Sequence, residues 1–149
     1  MIHLFTHEDK RMPATEQDIL QVEEKLNLKL PEDFKQLLRI ANGGVVQAEK
    51  RGFPVDFPIE SGDPYIDVEE IMGANEEGLL MSDYFIQEWG LPEQLVLFAG
   101  SGHAWVGFNY ENPETPNVVY VEPDDGNGHN FHVIAHTFTE FVEKLTPIQ

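Results

Sequence analysis

Apolar positions along the chain follow two periods, and the switches between them divide it into elements. Ile19, Val22 and Leu26 recur at helical spacing behind Thr15 and Asp18, a pair that resembles a capping box, and predict a first helix over about 15–27. Pro31 suits the first position of a second helix, and Glu32 and Asp33 supply the negative charge a helix N-terminus favours. Phe34, Leu37, Leu38 and Ala41 then fall at i, i+3, i+4 and i+7, a single buried stripe. Asn42-Gly43-Gly44 ends this helix, because glycine accepts the left-handed cap conformation. From Val45 to Pro64 three prolines and two glycines leave room only for short extended pieces. Tyr65-Ile66 reads as a brief strand, Asp67 as the cap of a short helix through Ile71, and Glu76 to Trp89 as a further helix stopped by Gly90 and Pro92.

Beyond Pro92 the period changes to that of strands. Leu95–Ala99, Ala104–Tyr110, Val118–Val121 and Phe131–Ala135 are β-branched and aromatic runs separated by turn-forming segments, the pattern of consecutive antiparallel strands. Thr137 and Glu140 read as a second capping box, before Phe138, Phe141, Val142 and Leu145 at helical spacing. The expectation is an α+β fold. An N-terminal helix pair and a C-terminal helix close over one face of a largely antiparallel, twisted sheet. A single domain spans 1–149, with 1–14 as an N-terminal extension and 15–145 as the core.

Composition changes this picture in one respect. With 41% apolar and 24% charged residues the chain is of ordinary globular make-up, but its net charge is −18. The charge is segregated: residues 1–51 hold 9 acids and 8 bases, whereas Gly52 to Glu143 hold 18 acids and no Lys or Arg. Carboxylates in such a stretch have no basic neighbour in sequence to pair with. This excludes nucleic acid and anionic membranes as direct partners, whose affinity rests on Lys and Arg. It favours a basic partner, drawn in by a one-signed field. There is no cysteine, so disulfides, thiolate catalysis and Cys-ligated metal centres are excluded. The first twelve residues lack the apolar core of a signal peptide, and no apolar run approaches the ~20 residues that span a bilayer, so the expected compartment is the cytoplasm.

Three groups of residues invite a chemical reading. Asp124, Asp125, His129, His132 and His136 mix oxygen and imidazole ligands, but on a straight strand His132 and His136 stand about 13 Å apart. A polar turn followed by partly exposed histidines is the better account. Gly100-Ser101-Gly102-His103 lacks the strand-to-helix setting of a nucleophile elbow and reads as a hairpin turn. The many carboxylates offer pairs for glycoside hydrolysis with nothing to select one, and Trp89 and Trp105 read as core or rim packing rather than a sugar platform. The sequence calls for no catalytic residue, cofactor or metal.

The string Thr15-Glu16-Gln17-Asp18-Ile19, Val22-Glu23, Leu30-Pro31-Glu32-Asp33-Phe34-Lys35-Gln36-Leu37-Leu38 and Asn42-Gly43-Gly44 resembles the N-terminal signature of the SUKH superfamily. The likeness continues through Leu95–Phe98, Ala99-Gly100-Ser101-Gly102, Trp105-Val106-Gly107-Phe108-Asn109 and Val118-Val119-Tyr120-Val121, and closes with Ile134-Ala135-His136-Thr137-Phe138-Thr139-Glu140-Phe141. That superfamily joins bacterial immunity proteins to fungal regulators of cell-wall glucan synthesis. The resemblance implies a non-enzymatic α+β domain that binds a protein, most often a cognate toxin domain; a nuclease, with its basic cleft, matches the acidic stretch. A regulatory scaffold of the fungal type is the alternative. The interface is expected at the acidic sheet end and its loops. Asp124 and Asp125 are the expected salt-bridge partners there, with Glu122 and Asp63 as further protein-binding residues and Tyr65, His103 and Trp105 as aromatic contacts.

Overall fold

The computed structural model describes residues 3–8, 11–123 and 129–148, with the backbone alone at His129. Helix α1 (Glu16–Leu26) opens with the predicted capping box: Thr15 Oγ1 accepts the Asp18 N–H at 3.0 Å, and Asp18 Oδ2 accepts the Thr15 N–H at 2.9 Å. Helix α2 (Glu32–Ile40) starts one residue later than expected, because Pro31 keeps an extended ψ of 141° and serves as its N-cap. Gly43 follows at φ +81°, and a Cβ there would lie 2.6 Å from the carbonyl oxygen of Ile71, so this close approach admits only glycine.

The middle of the chain departs from expectation. Strands β1 (Gly44–Val45) and β4 (Glu70–Ile71) pair antiparallel, as do β2 (Gly52–Pro54) and β3 (Tyr65–Asp67). Asp67 therefore caps no helix. It ends β3 opposite Gly52, and the Arg51 guanidinium holds its carboxylate with contacts of 2.8 to 3.0 Å. The helix read over 76–89 is also shorter, since the Leu79 N–H turns back to the Gly73 carbonyl at 2.9 Å and a 3₁₀ turn occupies Leu79–Met81. Helix α3 covers Ser82–Trp89 and ends at Gly90 with φ 64°.

Strands β5 (Leu95–Gly100), β6 (Trp105–Asn109), β7 (Asn117–Pro123) and β8 (His129–Ala135) form one antiparallel four-stranded sheet in chain order. Helix α4 (Phe138–Glu143) follows. Thr137 caps it by accepting the Glu140 N–H at 3.0 Å, but the Glu140 carboxylate turns to the His136 N–H, so only half of the expected box forms. The first face of the sheet, with Val96, Phe98, Val106, Phe108, Val118 and Tyr120, packs in one core with Ile19 and Val22 of α1, Phe34, Leu37 and Leu38 of α2, and Phe138 and Phe141 of α4. Phe34 sits among Phe98, Phe108 and Phe138, with ring centroids 4.9 to 5.7 Å away. Leu4 is buried in this core too, and backbone bonds from Thr6 to Val45 and from Gln47 to Leu4 lay residues 4–6 alongside 45–47.

The opposite face has a smaller core. Leu95, Leu97, Trp105, Val119 and Val121 pack there against Ile86 of α3 and Leu91. The register sets Trp105, Val121 and Phe131 in one row across the sheet and Gly107, Val119 and Val133 in the next. Helix α3 roofs the β5 side. Toward β8, Phe131 is half-buried and Val133 is 52% exposed.

Candidate protein-binding surface

The residues expected to make contacts fall into three groups. Asp63 is exposed and Tyr65 half-buried on the hairpin joining β2 to β3. With Ile59, Ser101, Ala104 and Tyr120 they line a shallow pocket of about 260 Å³ between that hairpin and the β5–β6 turn. Ser101 lies in a strand-to-strand turn closed by its N–H to the Ala104 carbonyl at 3.0 Å, with Gly102 at φ +91°, as the hairpin reading requires.

Glu122 and Trp105 are interior residues, although Trp105 also lines that pocket. Glu122 is 2% exposed. Its Oε2 accepts the Tyr120 O–H at 2.7 Å and the Glu60 N–H at 3.2 Å, and its Oε1 accepts Asn130 Nδ2 at 3.1 Å. Three donors leave this carboxylate a structural tie that holds the hairpin loop on the sheet. Burial, and then the bond to Glu122, raise the Tyr120 phenol above its ordinary range. On the same loop Phe57 stacks on His132 at 3.8 Å. Trp105 is 1% exposed because α3 covers its face of the sheet. Asp124 and Asp125 lie outside the described residues.

The third group centres on His103, which is exposed on the β5–β6 turn and meets the Trp89 ring edge-on at 5.8 Å. Trp89 in turn touches Trp105 at 5.6 Å, and Phe85 touches Trp105 at 5.7 Å and Tyr84 at 5.5 Å. Trp89 was read as core or rim packing, and at 39% exposure it stands at the rim; Tyr84, which sequence reasoning passed over, is 57% exposed. The available signal was helical: in Ser82–Trp89 the buried Ser82 and Ile86 define one side, and Tyr84 and Glu88, one turn apart, fall away from it.

These elements follow one another in the order of a known family. The model of the SMI1 / KNR4 family (SUKH-1) matches residues 13–144, from the approach to α1 through the end of α4. The chain belongs to this family. No curated protein sequence matches it. SUKH proteins are immunity or regulatory proteins, in general without enzymatic activity, and act by binding other proteins.

Within this SUKH-1 domain the charge asymmetry survives folding. Among the described residues, the acids from Gly52 to Glu143 that pair with a Lys or Arg are Asp67, Glu70, Glu76 and Glu140. Asp56, Glu60 and Asp63 on the hairpin, and Asp83 and Glu88 on α3, are exposed and in no ion pair. Two further bases tie the N-terminal helices: Arg39 joins Glu16 of α1 to Glu32 of α2 at 2.9 and 2.8 Å, lowering both carboxyls, and Lys35 contacts Glu23 and Glu32 at 3.5 Å. No helix among the described residues is long and apolar enough to cross a membrane.

Proposed function

We propose that this protein is a bacterial immunity protein that binds a basic cognate toxin and neutralises it by one-to-one occlusion in the cytoplasm. The observation that carries this reading is the stretch from Gly52 to Glu143, free of Lys and Arg, on a SUKH-1 scaffold, with Asp56, Glu60, Asp63, Asp83 and Glu88 exposed and, among the described residues, in no ion pair. A nuclease is the toxin class that fits best: its cleft is basic because its substrate is a polyanion, and an acidic surface competes for the same groups. Close charge pairs across such interfaces have couplings of about 1.5–7 kcal/mol, enough for a few carboxylates to hold a tight complex. Asp63, Tyr65 and His103 are the surface residues proposed to take part, with Asp124 and Asp125 beyond the described residues.

The test is co-expression with the toxin domain encoded beside this gene. The expected result is restored growth, a one-to-one complex by light scattering, and an association rate that falls between ~50 and ~500 mM salt. A toxic neighbour that is neither bound nor neutralised would overturn the proposal in favour of a regulatory scaffold.

A further inference from the structure

We infer that α3 and His103 form a docking surface for a basic protein segment, with an Arg or Lys of that segment set against Trp89. The proposal builds on the reading that the protein acts by binding a basic partner, and it names the face and the contact chemistry. Trp89 is a built platform: its ring is braced by Trp105 and His103 at 5.6 and 5.8 Å while 39% of the residue remains open. Tyr84, at 57% exposure, adds an exposed aromatic ring on the same helix. Large aromatic groups held rigid at a surface are the usual centres of protein interfaces, and an indole face is the strongest side-chain site for a cation.

Charge selects the occupant. Helix α3 and strands β5 to β8 all lie between Gly52 and Glu143, so this face holds no Lys or Arg anywhere in its sequence, and Asp83 and Glu88 rim it. The helices of the first face, by contrast, carry Lys25, Lys35 and Arg39, and Lys144 follows α4. The sheet thus separates a layer of mixed charge from one that is acidic only. A second copy of this chain would bring acids against acids, whereas a cationic segment meets a partly exposed indole and unpaired carboxylates together.

The experiment measures affinity for the neighbouring toxin domain with Trp89→Ala and with the surface reversal Glu88→Lys, against Asp63→Asn/Tyr65→Ala at the pocket. Near-UV circular dichroism verifies folding. Loss of at least about tenfold in affinity for both α3 variants, with the pocket variant close to wild type, is the expected result. A complex weakened only by the pocket variant would overturn the docking surface and leave the immunity role standing. If the wild type does not bind the toxin domain, the immunity role fails, and amide NMR with a twelve-residue peptide alternating Arg and Leu decides the surface. Shifts concentrated at 82–91 and 103 support it; shifts concentrated at 56–65, spread over all acids, or absent overturn it. A dimer formed through α3 at low salt would overturn it as well.

Discussion

Asp33 at the start of α2 accepts two hydrogen bonds from Thr139 at the start of α4, from the N–H at 2.8 Å and from the hydroxyl at 2.9 Å. The two residues belong to the first and last blocks of the family signature, which are thereby tied directly. Asp33→Ala leaves the Thr139 N–H without its partner in a half-buried place and is expected to cost about 2 kcal/mol. Thr139→Val, which keeps the N–H, is expected to cost about half as much. Urea unfolding of the two variants measures both; equal stability of wild type and Asp33→Ala would show the tie to be idle.

Glu122 offers a second test, because its carboxylate collects donors from two strands and a loop. Glu122→Ala orphans the Tyr120 hydroxyl, and a loss of about 2–3 kcal/mol is expected, with faster hydrogen exchange at the Glu60 amide. Glu122→Gln retains an accepting oxygen and is expected to lose less. An alanine variant with unchanged exchange at Glu60 would show that the hairpin loop is held by Phe57 on His132 instead.

Ser82 is buried where the 3₁₀ turn passes into α3. Its Oγ donates to the Leu79 carbonyl at 2.7 Å and accepts the Leu97 N–H at 2.9 Å, beside the register shift in β5. Ser82→Ala leaves that N–H unpaired in the core and is expected to cost about 1–3 kcal/mol. Thermal unfolding at constant pH is the measurement, and an unchanged midpoint would mean that another group takes up the Leu97 amide.

Glu140 carries a pH dependence whose sign follows from its partners. The Lys144 ammonium, then the His136 backbone N–H and ring, hold its carboxyl at about 2 against an ordinary 4.5. The folded value lies below the unfolded one, so the stabilising contribution is complete above about pH 4.5 and drains away as the pH falls toward 2. Carbon-13 NMR is expected to place the titration near 2, and Lys144→Gln to move it upward. A wild-type midpoint at the ordinary value would show that these contacts do not persist in solution.

Helix α1, the stripe of α2 and the four long strands were legible because local signals and tertiary packing agree there: a capping box, a proline-acid start, β-branched runs between turns. Asp67 was misread because its acid in a helix-cap position is also the last residue of a strand pairing with Gly52, and no local pattern announces a partner so distant in the chain. The 76–89 helix lost its first turns to the bond between Leu79 and Gly73 for a similar reason. Within the candidate site, alternation along β6 separates the side of Trp105 from that of Val106 but does not say whether each side is covered. With α3 over the second face, Trp105 is inside and Trp89, on the covering helix, takes the rim. The burial of Glu122 was not legible, because the three donors that make it tolerable come from Tyr120, the loop and β8.

The acids beside Tyr84 and Trp89 also act on copies of the protein itself. An aromatic patch of this kind invites self-association, and Asp83 and Glu88 oppose it by holding like charges around the rim. Screening removes that protection, since at ~1 M salt the Debye length is only about 3 Å. Raising ionic strength therefore has opposite effects on one surface: it loosens the grip on a cationic partner and lets two identical faces approach. Solubility and recognition here depend on the same few carboxylates.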